Sequence, residues 1–183
     1  MARKSRTQYA ILGFLASAPA TGYEIRKQLR DISTIWYESY GQIYPSLKIL
    51  TEQGFATREA TDGAKGSNKY VYTITAKGLK HLQTWLEEPV QFTPVRHELG
   101  LRIYFAKHSN KDVLIEQLKR FKVKTLKDLE HNRALYKKYI VNKDPLISSD
   151  HAYMTISQGK YLIDAQLAWC EDMLEHIQNK SPD

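Results

Sequence analysis

Apolar residues recur at helical spacing in three short bursts at the start of the chain, and the pattern then changes to alternation. Residues 5–17 carry Ile11, Leu12 and Leu15 on one side, and Pro19, which has no amide hydrogen to donate, closes that helix. Thr21-Gly22-Tyr23-Glu24 has the spacing of a capping box, in which hydroxyl and carboxylate each meet a free backbone N–H. Ile25, Leu29 and Ile32 follow it on one face. A third helix turns Ile43, Leu47 and Leu50 inward, which leaves Gln42, Tyr44, Ser46 and Lys48 facing largely outward. Its start has two readings. Ser39 with Gln42 imitates a capping box but sets Pro45 deep in the helix, whereas Gly41 as the cap puts Pro45 near the first turn, where it costs less. Gly54 is the expected end. Residues 55–60 and 70–74 read as an antiparallel pair, with Tyr70, Tyr72 and Ile74 on one face and a cationic, glycine-containing tip between the strands. Thr75 then caps a helix with Leu79, Leu82 and Leu86 on its face and Trp85 beside them.

Helix, helix, helix, ribbon is the order of a winged helix-turn-helix, whose third helix enters the major groove while the ribbon touches phosphates. Residues 87–97 contain two prolines and no period, so a domain junction is expected there, separating residues 1–88 from 89–183. The next stretch, 98–106, fits a strand by alternation and a helix by the Leu99–Ile103 spacing, and periodicity alone leaves both open. The rest reads as helix from Lys111 to about Tyr139, a loop at 142–150, and a final helix. That last helix has a seam of Tyr153, Ile156, Lys160, Ile163, Leu167, Cys170, Leu174 and Ile177 in alternating three- and four-residue steps. The fold class is therefore mainly α, a winged helix-turn-helix with a two-stranded wing followed by a helical domain. The seam suits packing either within one chain or across subunits.

Charge sharpens this picture. The net charge is +7, and residues 1–86 hold twelve Lys and Arg against six Asp and Glu, while residues 87–183 hold fifteen against fourteen. A basic half that coincides with the helix-turn-helix half suits a phosphate-binding module joined to a neutral one. One cysteine, Cys170, excludes an internal disulfide and fits a reducing cytoplasm. The basic start of the chain and the short apolar stretch after it have neither signal-peptide layout nor membrane-spanning length, so a cytoplasmic protein is expected. The six histidines lack metal-ligand spacing, and there is neither a nucleophile elbow nor a phosphate-binding glycine loop. No metal, cofactor or enzymatic activity is expected.

The candidate residues follow from these patterns. Tyr44, Ser46 and Lys48 are expected at the major groove, with Gln42 at the helix entrance. Lys65, Ser67 and Lys69 of the wing are expected at phosphates or the adjacent minor groove. Ile163, Leu167 and Leu174, with neighbouring Trp169, are expected to bury the final seam across a two-fold interface. Trp36, Tyr37, Tyr40 and Tyr104 could line an aromatic pocket near the junction, or simply pack as core. Double-stranded DNA is the leading partner, and a winged helix used only for protein contact is the alternative. An apolar outward face on the third helix would favour the latter.

Read together, Tyr9-Ala10-Ile11-Leu12-Gly13-Phe14-Leu15, Gly22-Tyr23-Glu24-Ile25, Gln42-Ile43-Tyr44-Pro45-Ser46-Leu47-Lys48, Gly54-Phe55, Lys69-Tyr70-Val71-Tyr72-Thr73-Ile74-Thr75 and Gly78 resemble the PadR family of transcriptional regulators. The second half resembles the longer members, chiefly at Glu98-Leu99-Gly100-Leu101-Arg102-Ile103-Tyr104-Phe105-Ala106 and Trp169, which implies that 98–106 is helical. The resemblance implies a homodimeric repressor of a palindromic operator, released by a small effector. In the founding members the effector is a phenolic acid such as p-coumarate or ferulate, and the target is a phenolic acid decarboxylase. Other members bind unrelated hydrophobic drugs, so a multidrug-sensing repressor of an efflux system is the alternative. An effector site is expected from Trp36, Tyr37 and Tyr40 with His97, Arg102 and Tyr104, where Arg102 or His97 could pair with a carboxylate. Glu98, one turn from Arg102, offers that arginine a local partner instead.

Overall fold

The computed structural model describes residues 6–33, 36, 39–61, 69–91, 97–147 and 149–179. It divides into two compact units, Met1–Val90 with Pro145–Ile147, and Gln91–Asp144 with Ser148–Asp183.

The first unit runs α1 (Arg6–Ser17), β1 (Ala20–Thr21), α2 (Gly22–Asp31), α3 (Ile43–Glu52), β2 (Ala56–Thr61), β3 (Lys69–Ile74) and α4 (Ala76–Glu87). The strands form an antiparallel sheet in the order β1-β3-β2. The expected two-stranded ribbon thus gains a third, short strand, because the residues before α2 pair with Val71 and Tyr72. Tyr9, Ile11, Leu12 and Leu15 of α1 sit at the centre of a core that includes Ile25, Leu29, Ile43, Leu47, Leu50 and Leu82.

Local chemistry fixes the ends of these helices. The capping box of α2 is complete: the Thr21 amide and hydroxyl both donate to Glu24 Oε2 at 2.7 Å, and the Glu24 amide donates to Thr21 Oγ1 at 3.3 Å. Neither expected cap of α3 is used. A 3-10 turn, Tyr40–Gln42, leads into it, and Gln42 at the N-cap position has helical backbone angles and no side-chain cap bond. Pro45 is then the third residue of α3, where its missing amide forfeits no intrahelical bond. The far end closes as a Schellman motif. Gly54 takes φ 71°, the Phe55 amide donates to the Leu50 carbonyl at 2.8 Å, and the Gly54 amide donates to the Thr51 carbonyl at 3.0 Å.

Helix α4 is rotated from the sequence expectation. Its inner face is Gly78 and Leu82 with half-buried His81 and Trp85, whereas Leu79 and Leu86 point outward, 40% and 66% exposed. Aromatic stacking selects this face: Tyr9 lies on Trp85 with centroids 4.6 Å apart, and Phe55 lies on His81 at 4.4 Å.

The second unit holds α5 (Glu98–Tyr104), α6 (Lys111–Tyr136) and α7 (Ser149–Asn179), with one π-helical turn, Lys137–Val141, ending α6. The segment that periodicity left open is thus a helix followed by a 3-10 turn, Ala106–His108. Helices α6 and α7 pack antiparallel through two heptad-spaced rows, Leu118, Thr125, Asn132 and Tyr139 against Ile156, Ile163 and Cys170, all buried. Two hydrogen bonds fix the register: Asn132 Nδ2 donates to the Ile156 carbonyl at 2.9 Å, and Cys170 Sγ donates to the Leu118 carbonyl at 3.2 Å. Among the described residues, no helix is long and apolar enough to cross a membrane.

Candidate nucleic-acid interface

Helix α3 shows one face to the core and one to solvent. Ile43, Ser46, Leu47 and Leu50 are buried, while Gln42, Tyr44, Pro45, Lys48 and Ile49 are exposed. Ser46 therefore corrects the sequence reading. It lies three residues after Ile43 and four before Leu50, inside the apolar stripe, and is only 3% exposed.

Tyr44 is 62% exposed, yet its ring is not free to wander. A Cβ built on Gly22 would lie 2.8 Å from Tyr44 Cε1, so the ring rests against the first residue of α2, and a side chain there would displace it. Lys48 extends one turn further on, with its Nζ 3.8 Å from Glu52 Oε1 and both side chains largely in solvent. A pair so exposed is worth well under about 1 kcal/mol, and Lys48 can exchange that partner for another anion.

The sheet supplies the second element. Lys65 and Ser67 lie outside the described residues. Lys69 opens β3 in register with Thr61, whose hydroxyl donates to the Lys69 carbonyl at 3.1 Å. Lys69 is exposed and close enough to Glu24 to help lower that carboxyl below the usual range, a smaller effect than the bonds from the Thr21 amide and hydroxyl. Sequence reasoning did not single out Arg58. It faces Tyr72 across the β2–β3 ladder, and its guanidinium carbon lies 5.0 Å from the Tyr70 ring centroid. The signal was available in the strand parity, which places Arg58, Tyr70 and Tyr72 on one side of the sheet.

The other candidates fall as follows. Trp36 is half-buried against the core of the first unit, and its Nε1 is buried without a hydrogen-bond partner among the described residues. Tyr37 and the Tyr40 side chain lie outside the described residues. In the second unit, His97 caps α5, its Nδ1 accepting from the Gly100 amide at 3.0 Å, and its ring meets Phe121 and Trp169 edge-on. Arg102 takes the local alternative, with Nε and Nη2 both donating to Glu98 Oε1 at 3.0 and 2.6 Å. Tyr104 is 81% exposed and meets only Phe105 edge-on among the described rings.

The seam of α7 is also corrected. Ile163 is 4% exposed and packs toward α6 of its own chain. Leu167, Trp169 and Leu174 are half-buried, and the large apolar residues left outward on α7 are Tyr153, Met154, Tyr161 and Leu162. Among the described residues, no group of three or more His, Cys, Asp or Glu is placed to hold a metal ion.

Comparison with known proteins bears on the whole chain. Residues 11–84 match the profile of the transcriptional regulator PadR-like family, and residues 95–178 match that of the virulence activator alpha C-terminal region. The negative transcriptional regulator PadR of Bacillus subtilis is 29% identical over 180 residues, covering 93% of this chain and 96% of its own. Among solved structures, B. subtilis PadR in complex with operator DNA superimposes with a TM-score of 0.81 at 25% identity, over 96% of this chain and 99% of that one. The same protein in complex with p-coumaric acid gives a TM-score of 0.70 at 25% identity, over 94% and 98% of the two chains. Residues 11–84 thus match a family of transcriptional regulators, and the chain as a whole is similar in sequence and in fold to B. subtilis PadR.

Proposed function

We propose that the protein is a repressor that binds a palindromic operator as a homodimer and is released by a small aromatic acid. The observation that carries this reading is the outward face of α3. It holds Gln42, a braced Tyr44 and a cationic Lys48 with no broad apolar patch, on the basic half of the chain. The B. subtilis relative supports both parts, since it is a negative regulator solved with operator DNA and with p-coumaric acid. In this reading residues 1–88 bind DNA, and residues 89–183 dimerise and respond to the effector. Gln42, Tyr44 and Lys48 meet the major groove, while Lys65, Ser67 and Lys69 meet phosphates or the minor groove. The two-fold interface uses the outward side of α7, where Met154, Tyr161 and Leu162 are more than half exposed in one chain. The effector's carboxylate is taken by His97 or by Arg102, which exchanges Glu98 for it.

The test is selection of bound duplexes from a random library, followed by titration of the winners with p-coumarate and with its neutral amide. An effector shifts the equilibrium only if it binds the DNA-free state better. An inverted repeat whose binding p-coumarate weakens more than the amide does is the expected result. No enrichment, or a motif without two-fold symmetry, overturns the DNA-binding reading. A palindrome indifferent to both compounds overturns the phenolic one.

A further inference from the structure

We infer that Arg58, laid over the Tyr70 ring on the inner face of the sheet, is a phosphate-binding residue for duplex DNA. This rests on the DNA-binding reading above and adds to it a contact on the sheet itself, apart from the tip of the wing.

Arg58 is exposed on β2. Its Cα partner is Tyr72, and the next inward pair is Ala60 with Tyr70, so Arg58 reaches Tyr70 along the diagonal of the ladder. The guanidinium carbon stands 5.0 Å from the ring centroid. The cation sits over the ring while the side chain stays exposed, so its N–H donors, the fork that fits two phosphate oxygens, remain open to solvent. Among the described residues no carboxylate pairs with Arg58. Glu59 falls on the opposite face by strand parity, Glu24 is held by Thr21, and Glu52 lies beside Lys48. An arginine with a braced fork and no acidic partner is poised for an outside anion.

The surroundings place this fork beside the exposed start of α3. Tyr44 rests on Gly22, which follows Thr21, and Thr21 pairs with Val71 of β3. Burial pushes the Tyr72 phenol up, Arg58 is the main influence pulling it down, and Tyr44 and Tyr70 each add to the rise. Arg58 and Tyr44 therefore both act on Tyr72, from the sheet and from the helix. A strand whose bases meet α3 runs its backbone past this face. A phosphate is the anion that Arg58 meets there.

The experiment measures affinity for a 30-base-pair random-sequence duplex across a potassium chloride series, using the full chain. A contact with one phosphate contributes about 0.9 to the salt slope, or roughly fivefold in affinity between 1 M and 0.15 M salt. Arg58→Ala should lower the slope by about one unit per bound chain and weaken binding correspondingly. Arg58→Lys should keep the slope, since the charge stays, and Tyr70→Ala should weaken binding with the slope unchanged, since the charge stays but its brace is gone. If Arg58→Ala leaves slope and affinity intact while Lys48→Ala lowers them, the DNA reading stands and Arg58 has no part in it. If Arg58→Ala weakens binding with the slope unchanged, Arg58 meets no phosphate and the inference is overturned. If the unmodified protein shows no salt-dependent binding, the underlying reading falls first.

Discussion

Two glycines make opposite predictions because their neighbours differ in stiffness. A Cβ on Gly78 would sit 2.0 Å from the Phe55 carbonyl oxygen, which already accepts the Thr75 amide at 3.0 Å. Backbone cannot swing aside, so Gly78→Ala must push α4 away from the start of β2. A cost of about 1–3 kcal/mol is expected in urea unfolding, as for other overpacked sites. A Cβ on Gly22 meets the Tyr44 ring instead, and a ring can rotate. Gly22→Ala should therefore change stability by less than about 1 kcal/mol, since alanine's better helix propensity offsets the contact. It should nevertheless displace Tyr44 and weaken DNA binding. Equal destabilisation by both variants would show that the Tyr44 ring is fixed as firmly as backbone. Gly78 was legible in the sequence only as part of an ordered motif, because no periodicity reveals what a missing Cβ would strike. Ser46 was misread for a related reason: a small polar side chain was assigned to solvent by its type, although its spacing from Ile43 and Leu50 already put it inside.

At the scale of elements, the ends of helices were more legible than their faces. The capping box of α2 was readable because both of its side chains lie within four consecutive residues, and the structure contains it whole. Removing its hydroxyl with Thr21→Ala, which leaves the amide of residue 21 on Glu24, should cost about 1 kcal/mol. The loss should depend on pH in a definite direction. Glu24 is held below its ordinary value, first by the Thr21 amide and then by the hydroxyl. A depressed carboxyl stabilises the fold above its unfolded pKa, and that contribution is lost as pH falls through the folded value. The gap between the unmodified protein and Thr21→Ala should thus be full at neutral pH and shrink below the ordinary carboxylate range, as read by thermal melts at stepped pH. A gap that widens in acid would contradict the capping role of Glu24. Faces fared worse. On α4 the leucines 79 and 86 were assigned inward by hydrophobicity, but the stacked pairs of Trp85 and His81 turn the helix by about a quarter turn, and ring stacking leaves no periodic trace.

At the scale of the molecule, the long seam of α7 was plain in the sequence while its partner was not, because heptad spacing is the same within a chain and between chains. Neighbouring residues now separate the two roles. Ile163 is 4% exposed and Leu162 is 52% exposed in the single chain. Ile163→Asp should unfold the second unit, since burying an unpaired charge costs several kcal/mol. Leu162→Asp should leave helicity intact by circular dichroism and reduce the dimer in sedimentation. A Leu162→Asp protein that stays fully dimeric would move the interface off the outward side of α7. The seam has one further consequence. Cys170 is the only thiol in the chain, it is wholly buried, its Sγ is bonded to the Leu118 carbonyl, and burial pushes its pKa up. A thiol that reacts only as an exposed thiolate is silent while α6 and α7 stay together. Its labelling by a disulfide reagent therefore counts the moments when the two helices part, which makes the chain its own stopwatch for opening. An effector or a duplex that tightens this helical pair should slow the labelling, and one that loosens it should speed it, with no probe added to the molecule.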